Sequence, residues 1–96
     1  MRLIIATNST ASGVAAKNTL TAFLEAKGWA VWHWFEDLWL LDNVPAQTNL
    51  MALRDEINRV IPTLGQVLVL STEGPINHAG TVPAQSAQWF TEHWRG

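Results

Sequence analysis

The stretch of sequence that decides the fold runs from residue 29 to residue 42 and reads WAVWHWFEDLWLLD. Aromatic side chains dominate it, and such residues favour β-strands. A single acidic pair, Glu36-Asp37, interrupts the apolar run. Because the whole run is longer than a usual strand, we predict two strands that fold back on each other at Glu36-Asp37.

Elements on both sides of this segment complete the pattern. Residues 3–7 and 66–70 are short runs that are apolar on both faces, which is typical of buried strands. A helical stripe precedes the aromatic segment and ends at Gly28, where a C-terminal cap belongs, and a second helix ends before Pro62. The spacing of apolar residues predicts a final short helix over residues 83–94.

The order of these elements defines the fold class. With a turn at Glu36-Asp37 the order is βαββαβ, which predicts an α+β, ferredoxin-like domain with an extra C-terminal helix. With an unbroken strand at that point the order is βαβαβα, a small flavodoxin-like α/β sheet, which is the alternative. In the ferredoxin-like arrangement both main helices cover one face of the sheet. The opposite face must then be covered by the C-terminal helix, by a second subunit, or by both.

The composition supports one domain that spans residues 1–96. The chain is 48% hydrophobic and 15% charged, which is typical of a globular protein and not of a disordered one. It contains no Cys, and this excludes a disulfide framework, a thiolate metal site and a Cys nucleophile.

The charge pattern limits the classes of partner. Six Lys and Arg stand against eight Asp and Glu, and the basic residues never cluster, which disfavours non-specific nucleic-acid binding. No segment approaches the length of a membrane span, and the apolar run at the N-terminus is too short for a signal peptide. We therefore expect a cytoplasmic protein that does not associate with a membrane.

The six Trp residues are the strongest indication of function. So many large rings are difficult to bury in a core of this size, and exposed aromatic surface usually marks a partner. We expect a homodimer, or contact with another protein; the alternatives are that all six rings are core residues or that some stack on a base or flavin ring. The predicted interface consists of Trp32, Trp34, Trp39, Trp89 and Trp94.

The loop after the first strand is a candidate phosphate site. Hydroxyl and backbone N–H groups at the start of a helix can bind a phosphate, and this loop resembles the FMN-phosphate loop of flavodoxins, which implies FMN or a nucleotide as ligand. The simpler interpretation is a set of residues that cap the helix. The candidate residues are Asn8, Ser9, Thr10, Ser12 and Gly13.

Three residues of the aromatic segment are candidate catalytic groups: His33, Glu36 and Asp37. His33 lies between two Trp residues, and its simpler role is packing. Glu36 and Asp37 are adjacent, so they more readily form a turn than a carboxylate pair within one chain. The three His residues share no metal-ligand spacing, and we predict no metal site from the spacing.

The pattern over residues 2–72 resembles a known family. A first strand that ends in a polar loop, a helix closed by Gly28, the run Trp39-Leu40-Leu41-Asp42 and a later helix and strand follow in the family's order. The chain resembles the SinR-like relatives of the small CRISPR-associated adaptation nuclease, a group that includes the VapD-type toxins. The resemblance implies a ferredoxin-like fold and a homodimer that pairs through its sheets.

One position departs from the family's pattern. Members that are active nucleases carry an Asp at the end of the first strand, where carboxylates from the two subunits can hold a divalent metal, and the matching residue here is Asn8. A neutral amide is a poor ligand for Mg²⁺. We therefore expect a non-enzymatic interaction protein. The enzymatic alternative is a Mg²⁺-dependent nuclease that uses Asp37 or Glu36 from both subunits.

Overall fold

The computed structural model describes residues 1–8, 13–72 and 81–94. These residues form a mixed α+β fold with one four-stranded antiparallel sheet and three α-helices. The elements follow in the order β1 (Arg2–Thr7), α1 (Val14–Ala26), β2 (Ala30–Phe35), β3 (Leu38–Asp42), α2 (Leu50–Val60), a 3-10 turn (Pro62–Leu64), β4 (Val67–Thr72) and α3 (Ala84–His93).

The acidic pair at the centre of the aromatic segment forms a turn, as predicted. Glu36-Asp37 separates β2 from β3, and the two strands pair antiparallel with Phe35 opposite Leu38. The flavodoxin-like alternative is wrong, because it requires parallel strands and every pair in this sheet is antiparallel.

The strands lie in the order β2-β3-β1-β4, so β1 is central and pairs with both β3 and β4. The connections from β1 to β2 and from β3 to β4 each pass over one strand, and they contain α1 and α2. Strands β2 and β4 form the two edges of the sheet.

The larger hydrophobic core lies between the sheet and the first two helices. Side chains alternate between the two faces of a strand, so Leu3 and Ile5 of β1 lie on the same face of the sheet. Trp39 of β3 is the cross-strand partner of Ile5 and lies on that face as well. This face packs on α1 and α2. Its buried members are Leu3, Ile5, Ala16, Leu20, Leu24, Trp39, Leu41, Val44, Leu53, Ile57, Ile61 and Leu64.

A smaller cluster lies on the opposite face of the sheet, under α3. Trp32 and Leu40 project from β2 and β3, and Phe90 and Trp94 meet them from the helix. The Trp32 and Phe90 rings make an edge-to-face contact with centroids 5.3 Å apart. The C-terminal helix therefore covers part of the second face, which is one of the solutions that the sequence predicts.

A register shift in the aromatic strand changes the face of one residue. Strict alternation predicts that Phe35 shares a face with His33, but a β-bulge between Trp32 and Phe35 breaks the alternation. The Phe35 ring instead contacts the Trp32 ring edge-on at 5.2 Å, whereas His33 stacks on Trp39 at the larger core. Because of the bulge, the apolar side chains on the α3 side of the sheet continue along β2 as far as Phe35.

Local signals set the helix ends. Gly28 has a φ of +82° just after α1, and its N–H donates to the Glu25 carbonyl at 2.9 Å, which confirms the predicted C-terminal cap. The Asn49 side chain accepts the Ala52 N–H at 3.0 Å at the start of α2. No described helix has the length and apolar character that a membrane crossing requires.

One buried hydrogen bond joins α3 to the sheet and leads to a testable expectation. The Trp32 indole N–H donates to the Ser86 hydroxyl at 2.9 Å, and both residues are buried. The substitution Ser86→Ala leaves that N–H without a partner, so we expect it to lower the free energy of unfolding by about 1–2 kcal/mol. Chemical denaturation followed by circular dichroism measures the loss. A loss no greater than that of the exposed neighbour change Gln85→Ala would contradict this role.

Candidate functional site

The turn that contains the predicted catalytic carboxylates lies beside the last residue of β1, and Asn8, the first residue of the predicted phosphate loop, follows that strand. Thr7, at the end of β1, donates its backbone N–H to the Asp37 carbonyl at 3.0 Å and its hydroxyl to Asp37 Oδ1 at 2.8 Å. The turn between β2 and β3 is therefore fixed to the strand that leads into the loop. This end of β1 is the candidate site.

A buried lysine on α1 completes the cluster. The Lys17 ammonium lies 3.4 Å from Asp37 Oδ1 and 4.0 Å from Glu36 Oε2, and its side chain is only 10% exposed. A buried ammonium needs a compensating charge, and Asp37 supplies it. The Glu36 side chain is 86% exposed, so its attraction to the ammonium is largely screened. Asp37 thus serves as the counter-ion of Lys17 and a hydrogen-bond acceptor.

This arrangement does not favour a metal at Asp37. A divalent cation would bring its charge close to the Lys17 ammonium, which already neutralises the carboxylate. Within residues 1–8, 13–72 and 81–94, no group of three or more His, Asp and Glu side chains is placed to hold a metal ion.

His33 is near this cluster in sequence but has its own partners. Its Nδ1 lies 3.0 Å from the Leu38 carbonyl, and its ring stacks on Trp39 with centroids 4.0 Å apart and an interplanar angle of 2°. Because a carbonyl oxygen only accepts, Nδ1 carries the proton in this contact. The Trp39 indole N–H in turn donates to the Thr21 hydroxyl at 2.9 Å. These contacts support the packing interpretation of His33.

The structure describes two of the five predicted phosphate-loop residues. Asn8 is tied to the segment before β4, because its backbone N–H donates to the Gln66 carbonyl at 3.3 Å and its amide to Gln66 Oε1 at 3.2 Å. Gly13 is exposed and occupies the N-cap position of α1, with no side-chain capping bond. The remaining three, Ser9, Thr10 and Ser12, lie outside the described residues.

Most of the predicted tryptophan interface is internal to the chain, and here the prediction requires correction. Trp39 is fully buried in the larger core, and Trp32 and Trp94 are buried in the cluster under α3. Trp89 is half-buried, with its ring 5.9 Å from that of Trp94. Only Trp34 among the five predicted rings is exposed, at 52%. The physical reason is that α3 and α1 supply enough surface to cover rings on both faces of the sheet.

A second polar cluster at the opposite end of the sheet holds α3 in place. The Arg2 guanidinium donates from Nε to the His93 carbonyl at 2.8 Å, and its Nε lies 3.9 Å from Asp42 Oδ1. His93 Nδ1 lies 3.3 Å from Asp42 Oδ2. These groups satisfy the end of α3, and they were not predicted from the sequence, because they come from three distant segments.

Lys17 was also missed, although the sequence contains a signal for it. It precedes Leu20 by three residues and Leu24 by seven, so it lies on the same stripe as the buried leucines of α1. A cation on an apolar helical stripe indicates either a buried charge pair or a side chain that reaches the surface along the core. The pair with Asp37 shows which of these applies.

A groove of about 640 Å³ lies between the end of α1 and α2. The Lys27 ammonium donates to Glu56 Oε1 at 2.9 Å across it, and the same ammonium lies 4.9 Å from the Phe23 ring centroid and 5.5 Å from that of Trp29. Lys27 itself therefore occupies the position that a cationic ligand would take over these rings.

Comparison with known proteins identifies no relative. No protein-family model, no curated protein and no solved structure matches this chain.

Proposed function

We propose that this chain is a small cytoplasmic, non-enzymatic interaction protein that assembles as a homodimer. The observation that carries the proposal is the pair of leucines that β4 presents on the α3 side of the sheet. Leu68 is 55% exposed and Leu70 is 44% exposed. Each of them lies in a row of apolar cross-strand neighbours that runs across the sheet. Exposed leucines do not contribute to the solubility of a monomer, and a contiguous patch of exposed apolar side chains usually marks a surface that binds a partner.

The register shows how these rows run. Leu70 lies beside Ile4, which lies beside Leu40, and that residue lies beside Trp32. Helix α3 buries Trp32 and Leu40 but leaves the β4 end of the row exposed. The sequence predicts that the C-terminal helix, a second subunit, or both cover this face. The geometry supports both, with the second subunit at β4.

We also propose that the chain has a ferredoxin-like fold and is related to the SinR-like group. The strand order β2-β3-β1-β4, with α1 and α2 on one face, supports a ferredoxin-like fold. The resemblance to the SinR-like group supports a homodimer in the same way, since many of those proteins pair through their sheets. The geometry gives less support to the nuclease alternative, because Lys17 and Thr7 already engage the Asp37 carboxylate.

Sedimentation equilibrium of the full chain over a range of concentrations tests the proposal. We expect a dimer at micromolar concentration and a dissociation constant raised about a hundredfold by Leu68→Asp, because each copy then brings a charge to the apolar contact. The matched control is Met51→Asp, since Met51 is 65% exposed on α2, and it should leave the dimer intact. A monomer at all concentrations would refute the proposal. Loss of the dimer in Trp34→Asp but not in Leu68→Asp would place the interface at the aromatic end of the sheet instead.

A further inference from the structure

We infer that two copies of this chain pair edge to edge through β4, joining two four-stranded sheets into one of eight strands. The inference rests on the homodimer proposed above and specifies which strand, which symmetry and which register form it. The occupant of the β4 edge is a second copy of this chain.

Strand β4 has the features of an unprotected edge. Among the described residues it pairs only with β1, so the N–H and C=O groups on its other side have no strand partner. Its six residues, Val67–Thr72, carry no charge, no proline and no glycine. Natural edge strands usually carry a charge, a proline or a bulge that prevents pairing with another chain.

The other edge of the sheet, β2, lacks these features. Strand β2 contains the β-bulge between Trp32 and Phe35, which interrupts its ladder of hydrogen bonds and twists the edge. It also ends beside the charged turn Glu36-Asp37. Of the two edges, β4 is the one with a regular ladder, and its uncharged side chains can meet their own copies without bringing like charges together.

Symmetry then restricts the register. A two-fold axis perpendicular to the sheet makes the two β4 strands antiparallel and keeps both sets of helices on the same side. Residues directly opposite each other in paired antiparallel strands lie on the same face of the sheet. The two copies of β4 meet this condition only when the two-fold axis passes through a residue position, and not when it passes between two residues. An axis at Val69 places Leu68 opposite the partner's Leu70. This register pairs the exposed leucines of both copies with one another.

The arrangement has a consequence for the enzymatic alternative. Asp37 lies beside Thr7, whose partner on β4 is Val67, so Asp37 is two strands from β4 and two residues along the strand from the axis. With strands about 4.8 Å apart and residues about 3.3 Å apart, the two Asp37 residues lie roughly 27 Å from each other. Carboxylates at that distance do not share a metal ion. An edge-paired dimer and a nuclease centre built from both Asp37 residues are therefore mutually exclusive.

The absence of Cys makes the register directly testable. Val69→Cys should place the two introduced thiols opposite each other, where the Cα separation suits a disulfide. Under mild oxidation we expect about tenfold more cross-linked dimer from Val69→Cys than from the exposed control Met51→Cys. When isotopically labelled Leu68→Cys protein is mixed with unlabelled Leu70→Cys protein, we expect more disulfide-linked dimer between the two variants than between two copies of either variant.

Hydrogen exchange of the unsubstituted protein provides a second readout that does not depend on any variant. In a monomer, alternate amides of residues 67–72 point away from β1 and exchange rapidly. In the edge-paired dimer all of these amides are hydrogen-bonded. We therefore expect them to exchange about a hundredfold more slowly at concentrations that favour the dimer. A dimer whose alternate amides stay unprotected, and whose Val69→Cys form stays reduced, would overturn the edge register while leaving the homodimer standing. A protein that is monomeric throughout would overturn both.

Discussion

Trp39→Ala is expected to lower the free energy of unfolding by about 4 kcal/mol. The Trp39 side chain is fully buried between the sheet and the first two helices. Its removal leaves a large cavity, takes away the ring on which His33 stacks, and breaks the hydrogen bond to the Thr21 hydroxyl on α1. Chemical denaturation followed by circular dichroism measures the change, because fluorescence would also register the loss of one of the six Trp rings.

Two further variants separate the parts of this effect. Trp39→Phe keeps an aromatic ring under His33 but removes the indole N–H, and we expect a smaller loss of about 1–2 kcal/mol. The Thr21 hydroxyl keeps its own bond to the Lys17 carbonyl at 3.1 Å, so it is not left without a partner. Trp34→Ala, at an exposed position in the same segment, should change stability by less than about 1 kcal/mol. Equal losses from Trp39→Ala and Trp34→Ala would contradict the observed burial.

Asp37→Ala is expected to lower the free energy of unfolding by about 2–3 kcal/mol, which is more than the effect of removing its cationic partner. The substitution leaves the buried Lys17 ammonium with only the exposed Glu36 carboxylate as a counter-charge, and it removes the acceptor of the Thr7 hydroxyl. Lys17→Met, by contrast, replaces a buried cation with an apolar side chain of similar length. We expect it to cost less than about 1 kcal/mol.

The double variant Lys17→Met/Asp37→Ala tests this asymmetry. It should be more stable than Asp37→Ala alone, because no unpaired buried charge remains. Glu36→Gln serves as the control, since the exposed Glu36 side chain contributes little, and it should leave stability almost unchanged. If Asp37→Ala costs no more than Glu36→Gln, the carboxylate is not the structural counter-ion of Lys17.

The same variants bear on the enzymatic alternative. A carboxylate that serves in metal-dependent cleavage of RNA or DNA would give a variant that folds normally and loses activity. A structural counter-ion gives a variant that loses stability. The short contacts of Asp37 with Thr7 and Lys17 lead us to expect the second outcome.

The strand arrangement around the aromatic segment could be predicted because the signals are local. Glu36-Asp37 interrupts an apolar run that is too long for one strand, and a turn is the simplest way to expose two adjacent carboxylates. Gly28 could be assigned as a cap because a positive φ at the end of a helix favours glycine. Signals of this kind depend on a few neighbouring residues and do not require knowledge of the tertiary structure.

The faces of the aromatic residues could not be predicted in the same way. Alternation places Phe35 with His33, and one extra residue in the ladder moves it to the side of Trp32. A bulge arises from the pairing of two strands, so nothing within β2 alone specifies it. Likewise, the burial of Trp94 depends on the position of α3 on the sheet, which is set by contacts with residues distant in sequence.

By itself, the sequence therefore determined the order of the elements, the turn at Glu36-Asp37 and the presence of more aromatic surface than one face of a small sheet can bury. Only the tertiary structure decided which surface remains. It buried Trp32, Trp39 and Trp94 and left the leucines of β4 exposed. The physical reason is that periodicity specifies which side chains share a face, whereas exposure depends on how far the neighbouring helix reaches across that face. Here α3 covers the β2 and β3 side of the sheet and stops short of β4.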